Sequence, residues 1–180
     1  MAKFVALYRG INVGGKNSVK MEALRAMHER LGHRDVQSYI QSGNVVFAAK
    51  GTSAAIAKKT LTEFVNEFGF AAKVLVVGAE DWEALVQDNP FAKFAAKDPK
   101  TVHVGLCEGE PNEKGLQELL AKTGGPEKFV VGNGVVYLYA PAGFGTSKFA
   151  AGMDKACGVP MTARNWRTIE SLMQMLNEMQ

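Results

Sequence analysis

Three short stretches carry side chains whose types and spacing suit chemistry on an anion. The first, Arg9-Gly10-Ile11-Asn12-Val13-Gly14-Gly15-Lys16-Asn17, falls where strand-like sequence gives way to a helical pattern. Glycines let backbone N–H groups converge, a helix start adds positive potential, and Arg9 and Lys16 bring charge for a phosphate or carboxylate. The stretch has neither the Gly-Lys-Ser/Thr ending of a phosphate loop nor the GxGxxG spacing of a dinucleotide fold. Its plainer reading is a tight turn that needs Gly14 and Gly15 for backbone freedom.

The second stretch, Gln41-Ser42-Gly43-Asn44, offers amides and a hydroxyl that read a ligand by hydrogen bonds, or that simply make a turn. The third is Thr162-Ala163-Arg164-Asn165-Trp166, at the start of the last helical pattern, with Ser147 and Lys148 opening the helix before it. Thr162 or Asn165 suits a helix cap and Trp166 a core position. A planar guanidinium such as Arg164 suits a phosphate, a carboxylate or a structural salt bridge.

Familiar catalytic constellations do not occur. There is no GxSxG, HExxH or CxxC, and the carboxylate pairs Glu80/Asp81 and Glu108/Glu110 fall in helix starts and turns. His28 and His33 belong to or flank the first helix and His103 alternates within a strand, so each reads as an ordinary surface or core histidine. Phe144 is a candidate exposed aromatic or a plug over the core. The two cysteines, Cys107 and Cys157, give neither a disulfide framework nor metal-ligand spacing. Neither a metal nor a cofactor is expected, and any chemistry would rest on electrostatic stabilisation of an anion, since no general base presents itself.

The elements that must position these stretches follow from periodicity and punctuation. Residues 4–8 read as a strand, and a helix runs from about residue 19, with Met21, Leu24, Met27 and Leu31 near helical spacing and Gly32 as its stop. Residues 36–40 and 44–48 form a hairpin, residues 57–68 a helix ending at Gly69, and residues 73–77 a strand. The order β-α-β-β-α-β is the split βαβ pattern of a ferredoxin-like domain. A short helix at 80–87 and a polar loop to residue 99 connect it to a second half. There, strands at 101–107, 128–131, 135–139 and 160–163 alternate with helices at 113–121 and 147–157, and an amphipathic C-terminal helix follows. The expected architecture is α+β, with a first ferredoxin-like half at 1–78, a connector at 79–100 and a second such half plus the C-terminal helix at 101–180. An open face on each sheet gives the halves a reason to cover each other or extend one sheet.

Composition narrows the function classes. The chain has 180 residues, of which 47% are hydrophobic and 22% charged, as in a soluble globular protein. Its longest apolar runs fall well short of the roughly 20 residues a membrane helix needs. The first residues show no apolar leader, so with two isolated thiols a reducing cytoplasm is the expected compartment. Residues 1–50 hold eight Lys/Arg against three Asp/Glu, which accounts for more than the whole net charge of +3 and suits an anionic partner.

Together, the stretch 9–17, Tyr39-Ile40-Gln41-Ser42-Gly43-Asn44-Val45-Val46-Phe47 and Thr162-Ala163-Arg164-Asn165-Trp166-Arg167-Thr168 resemble the uncharacterised bacterial family catalogued as domain of unknown function 1697. The resemblance spans essentially the whole chain and implies a small cytoplasmic bacterial protein with a duplicated ferredoxin-like architecture. It carries no activity with it.

The leading expectation is that the three stretches meet in one polar cleft between the halves and bind a phosphate-bearing small molecule or a nucleic-acid backbone. Arg9, Lys16, Lys148 and Arg164 would supply charge there. Asn12, Gly14, Gly15, Asn17, Gln41, Ser42, Asn44 and Asn165 would supply shape and orientation, and Trp166 a stacking face. The alternative is a protein-interaction or oligomerisation module whose polar motifs are structural, with Met173, Met175 and Met179 presenting an adaptable surface.

Overall fold

Hydrogen-bonded pairing on both sides of a central strand organises each half of the chain. The computed structural model describes residues 1–180. Its first sheet contains β1 (Ala2–Arg9), β2 (Arg34–Tyr39), β3 (Asn44–Ala49) and β4 (Lys73–Gly78), with α1 (Met21–Arg30) and α2 (Ser53–Phe68) as the crossovers. The strand order is β2-β3-β1-β4, antiparallel throughout. Phe4, Ala6 and Tyr8 of β1 join Leu24, Met27, Val45, Phe47 and Phe64 in one core beneath α1 and α2. Val5 and Leu7 on the opposite face are also fully buried, which explains why β1 is apolar at successive positions.

The second sheet repeats the plan. It contains β5 (Val102–Cys107), β6 (Lys128–Gly132), β7 (Val135–Tyr139) and β8 (Met161–Asn165), in the antiparallel order β6-β7-β5-β8. Its crossovers are α5 (Glu113–Thr123) and α6 (Lys148–Cys157), which pack Leu116, Phe149, Met153 and Cys157 against Val136, Leu138 and Met161. Both sheets thus have the strand order of a ferredoxin-like domain, and the fold is α+β with two such halves.

The helices start and stop for local reasons. Thr52, Asn112 and Ser147 cap α2, α5 and α6 by accepting from Ala55, Gly115 and Ala150 backbone N–H groups, and Gly69, Gly124 and Gly158 end them in the left-handed region.

The connector differs from the sequence reading. Between α3 (Ala79–Gln87) and β5, the expected polar loop contains a helix, α4 (Ala92–Lys97), and a 3-10 turn at Pro99–Thr101. Its apolar stripe is short: Phe91 and Ala95 are buried, and Phe94 stacks on Tyr139 with centroids 4.0 Å apart. The lysines around it mask that stripe in the sequence. The last helix, α7 (Trp166–Glu178), supplies residues to both compact units. The compact units are Met1–Val86 with Ser171–Gln180, and Gln87–Glu170. Within the first unit, the Lys3 ammonium donates to the backbone carbonyls of Leu176 and Met179 at 3.2 and 2.7 Å, which ties the C-terminal segment to β1.

Gly43 is the most crowded glycine of the first unit. Its φ is +80°, and a Cβ there would stand 2.7 Å from both Ile11 Cδ1 and Tyr8 Cβ. Gly15, with φ +73°, has open space around it. Gly43→Ala should therefore cost about 2–4 kcal/mol, from backbone strain plus overpacking, and Gly15→Ala only about 1 kcal/mol. Urea denaturation of the two variants checks this; equal losses would show that steric closure at Gly43 is unimportant.

Candidate functional site

At the end of β1 the chain builds a miniature hairpin. Gly10, at φ +85°, turns it, and Ile11, 2% exposed, pins it to the core. The Asn12 N–H then donates to the Asn17 carbonyl at 3.0 Å and the Lys16 N–H to the Val13 carbonyl at 3.0 Å. Between Val13 and Lys16, Gly14 and Gly15 have φ of +58° and +73°, the pair of left-handed residues that a two-residue type I′ turn demands. The glycines thus form the tip of a small finger and stand well ahead of α1, whose first residue is Met21. They do not wrap its N-terminus.

A single side chain fixes the finger to the hairpin of β2 and β3. Asn12 accepts from the Val19 N–H at 2.7 Å and donates from Nδ2 to the carbonyls of Val19 and Gln41, both at 2.9 Å. Asn17 donates to the Gly10 carbonyl at 3.0 Å. In the hairpin turn, Asn44 is fully buried and donates to the Tyr39 carbonyl at 3.0 Å and to Ser42 Oγ at 2.9 Å. The Tyr8 N–H donates to the Gly43 carbonyl at 2.8 Å, closing the turn onto β1.

The structure therefore brings together the first two sequence stretches. Asn12, Asn17, Ser42 and Asn44 hold the two loops in shape through these bonds. Gly14, Gly15, Lys16 and Gln41 are exposed on the rim they form, and Arg9 is half-buried at its base. Sequence reasoning passed over two further residues here. Val13 is 66% and Ile40 52% exposed, so both loop tips carry an apolar side chain into solvent.

The third stretch belongs to the second unit. Lys148 opens α6 behind its cap Ser147, whose hydroxyl also donates to Glu127 Oε1 at 2.5 Å. Arg164 sits opposite Val104 in the β5–β8 ladder and donates to its neighbour Ala163's carbonyl at 3.0 Å. Burial lowers its pKa to about 10. Asn165 caps α7 by accepting from the Thr168 N–H at 3.0 Å. Trp166 is only 5% exposed, so it presents no stacking face and serves as a core residue instead.

Two clusters have little local signature. In the first unit, Tyr8 Oη lies 2.8 Å from His28 Nε2, and His28 Nδ1 lies 2.9 Å from His33 Nδ1. One proton in each gap makes a neutral Tyr–His–His chain, whichever way it runs. His33 also stacks on Phe47, with centroids 4.4 Å apart. His28 falls four residues after Leu24, on the buried stripe of α1, which was the available clue. Burial, then the neighbouring His33, brings the His28 pKa down to about 3, and burial followed by Lys59 brings that of His33 to about 4. In the second unit, Cys107 and Cys157 place their sulfurs 3.6 Å apart. Nothing in the sequence near either cysteine announces that contact.

Comparison with known proteins bears on the fold. A family described as "Protein of unknown function (DUF1697)" matches residues 1–137. A solved structure, the conserved bacterial protein SP0830 from Streptococcus pneumoniae, is 25% identical. The match covers 97% of this chain and 98% of that one, with a TM-score of 0.72. No curated protein matches the chain.

The histidine chain sets a pH dependence. His28 and His33 stay neutral in the folded protein down to about pH 3 and 4, whereas in the unfolded chain they take up protons near pH 6.5. The unfolded state binds more protons between those limits, so stability present above pH 6.5 is lost as pH falls. The slope approaches about 1.4 kcal/mol per pH unit for each such histidine. Denaturant titrations at pH 7.5 and 5 should show this loss, and His28→Gln should reduce it; a flat profile would count against a neutral, buried chain.

Proposed function

We propose, from the premise that the chain belongs to the DUF1697 family, that its first unit binds a phosphate-bearing ligand on the rim formed by the finger and the β2–β3 turn. The observation that carries this reading is the Asn12 side chain, which ties the finger to the turn through the Gln41 carbonyl and to the chain entering α1 through both backbone groups of Val19. Because the amide side chains are engaged in holding the loops, the rim is shaped before any ligand arrives and loses little entropy on binding. Gly14 and Gly15 let a ligand approach the backbone closely, and Lys16 stands exposed beside them. Between Arg9 and His28 the sequence holds four cations, Arg9, Lys16, Lys20 and Arg25, against one carboxylate, Glu22. Such a field favours an anion. No helix is long and apolar enough to cross a membrane; the reading places the protein in the cytoplasm, in keeping with a chain that has only two cysteines.

A second reading, a protein-docking surface, draws on Val13 and Ile40. Apolar side chains at two loop tips suit a partner with an apolar patch more than they suit a free phosphate.

A thermal-shift screen of the full chain against nucleotides, sugar phosphates, polyphosphate and short oligonucleotides separates the two. A ligand that binds only the native state raises the melting temperature with concentration. Lys16→Ala should weaken such binding about tenfold, as loss of one charge-assisted contact does, without changing the melting temperature of the free protein. Asn12→Ala should weaken it too, and should also lower stability by about 1–3 kcal/mol. No shift across the panel would reject the phosphate reading. A partner whose affinity falls in Val13→Ser and Ile40→Ser but not in Lys16→Ala would establish the docking surface in its place.

A further inference from the structure

Cys107 and Cys157, fifty residues apart in the chain, meet in the second unit. Cys107 is the last residue of β5 and half-buried, and Cys157 is the last residue of α6 and fully buried. Their sulfurs are in van der Waals contact at 3.6 Å. Both backbones are held: the Cys107 N–H donates to the Gly134 carbonyl at 2.8 Å, and the Cys157 carbonyl accepts from the Asn112 N–H at 2.9 Å. Gly158, left-handed at φ +73°, ends α6 at that point. The sulfurs have only to approach from contact distance to the roughly 2 Å of a bond.

We propose that a peroxide converts this pair to an intramolecular disulfide that fastens the end of β5 to the end of α6. In the first step the more accessible sulfur, that of Cys107, attacks the peroxide. An S–O bond forms, the O–O bond breaks, and the thiol proton leaves with the departing oxygen as water, giving a sulfenic acid. In the second step the Cys157 sulfur attacks the Cys107 sulfur. The S–S bond forms, the S–O bond breaks, and the Cys157 proton leaves with the hydroxyl as a second water. Overall the two thiols give up two electrons and two protons, and one hydrogen peroxide becomes two waters. A resolving thiol already in contact outruns a second peroxide, because the intramolecular step has a high effective concentration. Over-oxidation of Cys107 is thereby suppressed.

The surroundings set the pace. Burial, the hydrogen bond and charge of Cys157, and the nearby Asp154 and Glu110 together raise the Cys107 thiol to about 12. Thiolate is scarce at neutral pH, so oxidation is slow and speeds up about tenfold for each pH unit of increase. The pair therefore oxidises slowly and is no fast sensor.

The test treats the full chain with hydrogen peroxide at pH 7 and pH 8, then counts free thiols in denaturant and maps the peptides. The expected result is that both thiols disappear together, the intact mass falls by two hydrogens, and a linked Cys107–Cys157 peptide appears in monomeric protein, roughly ten times faster at pH 8. In Cys157→Ala, the sulfenic acid at Cys107 should persist long enough to be trapped by dimedone. The proposal is overturned if the natural chain gains oxygen at Cys107 while Cys157 stays free, if it forms covalent dimers instead, or if the native protein still keeps both thiols after prolonged peroxide exposure at about pH 9–10, where thiolate is far more abundant than at pH 7.

Discussion

The first unit depends on the requirement that β1 satisfy its backbone on both edges at once. Antiparallel pairing with β3 on one side and β4 on the other leaves no edge for β1 to expose, and it fixes which residues point toward α1 and α2. Leu7 opposite Asn44 sets the register that brings the β2–β3 turn level with the end of β1. Only in that register does the Gly43 carbonyl meet the Tyr8 N–H, and only then does the Gln41 carbonyl come within reach of Asn12. A slip of one residue would turn every side chain of β3 over and separate the two loops. The rim is thus a consequence of strand pairing, and its polar residues serve first to satisfy the backbone where regular pairing ends.

Much of this was legible in the sequence, because it follows from local rules. The alternation of β1, the apolar stripes of α1 and α2 and the glycines at helix ends gave both halves and their order, and the duplication emerged from that order alone. Asn12, Asn17, Gln41, Ser42 and Asn44 were also legible as residues of interest, since amides beside glycines mark backbone that needs help. Their role was not legible: a side chain that accepts from a backbone N–H and one that accepts from a ligand look alike until the fold shows what lies opposite. Lysines concealed α4, and Trp166 looked equally suited to a surface and to a core.

The contacts between distant residues were the part that no local rule could give. His28 and His33 are close in the chain, but their meeting requires Gly32 to turn at φ +85°, and Tyr8 reaches them from a different element. The two cysteines are joined only by the way α6 ends over β5. In both clusters the chemistry departs from that of the free side chains because burial disfavours charge: the imidazoles are held neutral and the Cys107 thiol protonated. The rim behaves differently, with Lys16 in solvent and the buried amide of Asn44 neutral and hydrogen-bonded beneath it.

The two tryptophans are divided evenly between the compact units. Trp82, fully buried, belongs to the first, and Trp166 to the second. Each indole is shielded from water in the native state, so its fluorescence emission shifts to longer wavelength only when the packing around it is lost. Replacing one tryptophan at a time with phenylalanine gives a chain that is spectroscopically silent in one half. The pair of single-tryptophan proteins then reports whether the two halves melt as one cooperative system or in sequence. An indole hidden from any ligand is poorly placed to sense binding, and for the same reason it is an undisturbed witness to folding.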